Sequence, residues 1–183
     1  MKAVLTSTGF DNEKIMDIFL KMLKKAPSEA KALFVPAALT QKQQKEYGQC
    51  FLDDLLKAGI VEENIDTYTL DDAMSEQKAL SYDVMYFSGG DPELLIKKIT
   101  DVDFGGSIKA FLDRGGIYFG ASAGSDIMTN AIESGLGYLD ITIACHDKVG
   151  STAGKLEAKG NPTVKINDNQ AIIIDEDRVY IVE

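Results

Sequence analysis

Short apolar runs alternate with amphipathic stretches through the first two thirds of the chain, a pattern that predicts βαβ units and a mostly parallel sheet. Ala3 to Thr6 reads as the first strand. After Gly9, the residues Ile15, Ile18, Phe19, Met22 and Leu23 recur on one face at helical spacing, with Asp11 or Asn12 as cap and Pro27 as stop. Ala32 to Pro36 is a second strand, followed by a helix that opens at Thr40, buries positions such as Phe51 and Leu55, and stops at Gly59. Ile65 to Leu70 alternates weakly as a third strand and Ala73 to Leu80 makes a short helix. Val84 to Phe87 is a fourth strand of the continuous, doubly buried kind, and Ile117 to Phe119 is a fifth. Beyond about residue 140 the pattern changes: VKI, NDNQ, AIII, DED and RVYIV read as strands joined by tight hairpins. The expected fold class is therefore α/β, a mostly parallel sheet flanked by helices with a C-terminal antiparallel extension, in one domain over residues 1–183.

Composition narrows the functional classes. A formal charge of −10 repels phosphate backbones and anionic membrane surfaces, and no basic patch offsets it, so neither nucleic acid nor membrane is an expected partner. No run approaches the length of a membrane span. The opening MKAVLTSTGF passes directly into a strand pattern without a charged and then apolar leader, and the two cysteines, Cys50 and Cys145, fit a reduced interior. A cytoplasmic location is expected. Homodimerisation is expected only from the general frequency of symmetric dimers.

Two glycine-bearing turns follow strands, at the sheet edge where open α/β proteins place their crevice. One is Ser88-Gly89-Gly90-Asp91-Pro92. The other is Gly120-Ala121-Ser122-Ala123-Gly124, a G-x-S-x-G stretch between a strand and a helix expected over Asp126 to Ile132. Small residues around a serine permit the strained turn of a nucleophile elbow, which pushes the hydroxyl out of the sheet edge. The plainer role of the same residues is a close strand-to-helix turn capped by Ser122. A glycine N–H of the first turn, paired with the N–H of Ala123, would make a two-donor oxyanion hole, each donor worth about 3 kcal/mol of barrier. Neither turn has the spacing of a phosphate cradle.

A serine needs a base, and the chain contains one histidine, His146, placed after the apolar segment Ile141 to Ala144. Candidates for a group that orients the imidazole are Asp147, Asp168, Gln170 and Asp175, with Asp168 as the working choice. The resulting order of serine, histidine, acid differs from that of the α/β-hydrolases. One histidine and no H-E-x-x-H motif argue against a metal site, and Asp101 to Gly106 reads as a capped turn rather than a calcium loop. No cofactor is expected.

Through FSGGDPELL, GGIYFGASAGS, the single histidine after a strand and the hairpin ending NDNQAIII, the chain resembles the peptidase E (aspartyl dipeptidase) and cyanophycinase-like family of serine peptidases. The resemblance implies a three-layer class I glutamine amidotransferase-like fold. It implies Ser122 as nucleophile, His146 as base, and the N–H groups of Gly90 and Ala123 as the oxyanion hole. Gly89 and Asp91 are then expected to meet a small peptide substrate. Relatives carry asparagine where this chain has Asp91, and residues 147–160 hold lysines but no arginine for an aspartyl carboxylate. The alternatives are a non-catalytic relative that binds a metabolite or partner in the same crevice and, less favoured because amidotransferases have cysteine at the elbow where this chain has Ser122, glutamine amidotransfer.

Overall fold

A computed structural model describes residues 1–130, 135–156 and 160–183. Its strands are β1 (Lys2–Thr6), β2 (Ala32–Val35), β3 (Ile65–Thr67), β4 (Val84–Phe87), β5 (Ile117–Ala121), β6 (Thr142–Ala144), β7 (Gly154–Lys155), β8 (Thr163–Lys165), β9 (Ala171–Asp175) and β10 (Arg178–Val182). The helices are α1 (Glu13–Leu23), α2 (Gln41–Lys57), α3 (Glu76–Ala79), α4 (Pro92–Asp101), α5 (Gly105–Asp113) and α6 (Ala123–Asp126). Among the described residues the main sheet runs β3-β2-β4-β5-β1-β9-β10-β7, parallel from β3 to β1 and antiparallel beyond, and β6 pairs with β8 in a separate small sheet.

Both faces of the main sheet are covered at its centre because β1, β2, β4, β5 and β9 are mostly apolar at successive positions, and the pleat sends neighbours to opposite sides. Leu33, Phe87, Tyr118 and Ile172 pack on one side with Leu95 and Ile99 of α4 and Ile108 and Phe111 of α5. Phe34, Tyr86, Phe119 and Ile173 pack on the other with Ile15 and Phe19 of α1 and Leu55 of α2. The result is the expected three-layer arrangement. No helix among the described residues is long and apolar enough to cross a membrane.

Several boundaries differ from the sequence reading. The third strand ends at Thr67, where its pairing with β2 stops, and Leu70 turns into the left-handed region at φ 58°. The short helix begins only after Ser75, whose hydroxyl accepts from the Lys78 N–H. The fifth strand continues to Ala121, and a helical turn over Ala123–Asp126 starts directly after Ser122; residues 131–134 of the expected Asp126 to Ile132 helix lie outside the described residues. The Asp101 to Gly106 segment is the tight link between two helices, of which α5 carries no side-chain cap and opens on two glycines, so the pattern hides it. VKI does not form a hairpin with AIII. Its backbone pairs in parallel with Thr142–Ala144, while AIII and RVYIV form the antiparallel hairpin that docks on β1.

Candidate active site

The turn after β5 is tightly constrained. Ser122 stands at φ 47° and ψ −108°, a region costly for any residue with a side chain. Its N–H donates to Thr6 O at 2.9 Å, and its carbonyl accepts from the N–H groups of Ser125 at 2.7 Å and Asp126 at 2.9 Å. Both glycines of the motif are required by close approach. A Cβ on Gly120 would stand 2.5 Å from Gly124 O, and one on Gly124 would stand 2.4 Å from Phe87 O. Tyr118 Oη donates to Gly124 O at 2.6 Å, and Ser125 Oγ bonds Thr6 O at 2.7 Å and Gly120 O at 2.8 Å. The turn is thus tied to β1, β4 and β5 together.

His146 arrives from the other sheet. Pairing of β6 with β8 continues past the strands, with Ile166 N–H to Ala144 O at 3.0 Å and Asp147 N–H to Ile166 O at 3.1 Å. His146 itself adopts φ 58°, and its N–H donates to Ser7 Oγ at 3.0 Å, while that hydroxyl donates to Ile166 O at 3.1 Å. The imidazole then lies with Nε2 3.1 Å from Ser122 Oγ and Nδ1 2.8 Å from Asp168 Oδ1. A carboxylate only accepts, so the proton sits on Nδ1 and Nε2 is free to accept from the serine hydroxyl.

Of the four candidate orienting groups, only Asp168 meets the ring. Asp147 turns its carboxylate onto the N–H groups of Gly150 and Val149 at 2.9 and 3.0 Å, which, with Lys165 beside it, hold its pKa down at about 2. Gln170 is buried, donating to Ser151 O at 2.8 Å and to Glu183 Oε2 at 3.1 Å. Asp175 pairs with Lys2 at the opposite end of β1, bonded to Arg178. Because β9 runs antiparallel to β1, only the turn that precedes it reaches the edge where Ser122 stands.

The first glycine turn lies beside the serine: a Cβ on Gly89 would come within 3.4 Å of Ser122 Cβ. Gly90, at φ 137°, is pressed against Ala38, whose oxygen would be 2.3 Å from a Cβ there. The N–H groups of Gly90 and Ala123 have no acceptor among the described residues. Asp91 does not line the cleft; its carboxylate caps α4 by accepting from the N–H groups of Glu93 and Leu94 at 2.9 and 3.1 Å. The negative charge that distinguishes it from asparagine is thus spent on a helix terminus.

The cleft has a volume of about 400 Å³ and runs from Gly89, Gly90, Ser122 and His146 to Tyr47, Phe51, Asp54 and Lys57 of α2. Sequence reasoning missed the contribution of α2 and of Ser7. The polar Ser7-Thr8-Gly9 run at the carboxyl end of the first strand was the available signal for the latter. Beneath the elbow, Cys145 Sγ lies 3.5 Å from Asp126 Oδ1. Burial pushes both pKa values up, so the thiol stays protonated and is no competing nucleophile. Among the described residues no group of three or more His, Cys, Asp or Glu could hold a metal ion.

Comparison with solved structures places the fold among peptidases. A protein of Listeria monocytogenes EGD-e assigned as a peptidase E superposes with a TM-score of 0.77 at 17% identity, covering 100% of this chain and 98% of that one. A peptidase from an acI-B1 actinobacterium superposes with a TM-score of 0.69 at 13% identity, covering 99% and 86%. At these identities the likeness is one of fold. No match is found among curated protein sequences. The model of Peptidase family S51 matches residues 3–145, which takes in both glycine turns and stops one residue short of His146. The chain belongs to peptidase family S51.

Proposed function

We propose that the protein is a serine peptidase that hydrolyses short peptides through an acyl-enzyme on Ser122. The observation that carries this reading is the unbroken path Ser122 Oγ, His146 Nε2, His146 Nδ1, Asp168 Oδ1, with steps of 3.1 and 2.8 Å, ending on a serine at φ 47°. His146 takes the hydroxyl proton as Ser122 Oγ attacks the scissile carbonyl carbon. The resulting oxyanion is met by the N–H groups of Gly90 and Ala123, which have no other acceptor among the described residues. The imidazolium passes its proton to the leaving amine as the C–N bond breaks, and Asp168 stabilises the positive ring meanwhile. Water, deprotonated by His146, then releases the acyl group and restores the serine.

The test is hydrolysis of a panel of dipeptides and tripeptides, aspartyl-X members included, by the wild type, Ser122→Ala and His146→Ala. The expected outcome is a loss of roughly a thousandfold or more in kcat/KM in either variant. Full activity of Ser122→Ala would overturn the reading.

A further inference from the structure

On α2 the buried side chains are Leu55 and, unexpectedly for an acid, Asp54, which is only 6% exposed. Its Oδ2 accepts from the hydroxyl of Tyr86 at 2.6 Å and from the Phe10 N–H at 3.4 Å. Gly9, at φ 134°, makes room for it, since a Cβ there would stand 2.1 Å from that oxygen. Oδ1 has no partner among the described residues, yet no buried side-chain oxygen or nitrogen among them is left unsatisfied, so Oδ1 is open to the cleft that Asp54 lines with Ser122 and His146. Among the described residues no side chain forms an ion pair with the carboxylate; Lys57, which lines the same cleft, attracts it only from beyond ion-pair distance, and Asp11 adds a second acid to the lining. Burial raises the Asp54 pKa, the mark of a charge that its surroundings under-compensate. A cation entering from solvent would supply the missing partner.

We propose that Asp54 is the specificity-determining group of the cleft and seats a positively charged ammonium group of the peptide substrate. This rests on the reading of Ser122 and His146 as the attacking pair, because they place the scissile bond in the same cleft. The ammonium comes either from the peptide's free amino terminus or from a lysyl side chain. The same uncompensated charge, reinforced by Asp11, disfavours an acidic residue at that position, so a substrate class built on aspartyl peptides does not suit this chain.

Wild type and Asp54→Asn are assayed on lysyl-X and norleucyl-X peptides, each with a free and an acetylated amino terminus, and on aspartyl-X. Asparagine retains an acceptor for Tyr86 and Phe10 and removes the charge. The wild type is expected to favour the peptide that carries the ammonium by roughly tenfold or more in kcat/KM, and this ratio is expected to collapse towards one in Asp54→Asn. A ratio governed by acetylation assigns the site to the amino terminus, and one governed by the lysyl-for-norleucyl exchange assigns it to the side chain. Wild-type ratios near one in both arms, or ratios that survive Asp54→Asn, overturn the proposal, and the wild-type ratios decide alone should the variant not fold. Calorimetric binding of the same peptides to Ser122→Ala, with and without Asp54→Asn, needs no turnover. It separates a failed ammonium site from a failed peptidase reading, which shows instead as no turnover by the wild type or as retained activity in Ser122→Ala.

Discussion

Ser122 pays about 1–3 kcal/mol for its backbone conformation, and three hydrogen bonds to its own N–H and carbonyl keep it there. The imidazole next to it is far less enclosed. The side chains of His146 and Asp168 are 51% and 61% exposed, so water screens their interaction and can partly replace the carboxylate. Asp168→Ala is therefore expected to lower kcat by roughly ten- to a hundredfold with little change in KM, well short of the ~10⁴-fold loss known for a buried acid. Steady-state kinetics against the same peptides check this, and an unchanged kcat would remove Asp168 from the proposed relay. Ser122 and His146 were legible in the sequence, one from its motif and the other because the chain has no second histidine. Asp168 stood among four candidates because the choice depends on which end of β9 meets which end of β1, and apolar patterning does not encode that register.

At the level of elements, the elbow is a junction where β4, β5 and α6 approach without room for a side chain. Gly124→Ala would drive a Cβ to 2.4 Å from Phe87 O and 2.9 Å from Phe87 Cβ, and backbone cannot yield there as a flexible side chain would. The expected cost is about 1–3 kcal/mol, read as a lower urea midpoint at unchanged m-value; a wild-type midpoint would contradict the close packing. Strands β1, β2, β4 and β5 were readable because each is a short apolar run buried on both faces. The parallel pairing of Thr163–Lys165 with Thr142–Ala144 was not, because nothing local distinguishes it from the hairpin that the turn residues suggest. Asp54 escaped notice for a related reason: on a helix with a mostly polar sequence, a single buried carboxylate carries no periodic signature.

For the whole molecule, acids desolvated by burial and an acid held by hydrogen bonds pull stability in opposite directions with pH. Asp54 and Asp126 have pKa values raised by burial, so between the unfolded value near 3.9 and their folded values the native state holds protons that the unfolded chain has released, and stability falls as pH rises through that window. Asp147, held at about 2, contributes stability that is present at neutral pH and lost as pH falls towards 2. Asp54→Asn is accordingly expected to be at least as stable as the wild type at pH 7, with its advantage shrinking towards pH 4. Thermal melts of the two proteins at pH 7, 5.5 and 4 check this, and a pH-independent difference would refute the assignment to Asp54. The two-sheet construction has a mechanical corollary. His146 and Asp168 follow paired strands of the small sheet, whereas Ser122 is rooted in the large one. The two sheets are moored to each other beside the serine, where Ser7 Oγ accepts from the His146 N–H and donates to Ile166 O and Thr8 Oγ1 donates to Asp168 O. That mooring at the end of β1, rather than the elbow alone, therefore sets how far base and acid stand from the nucleophile.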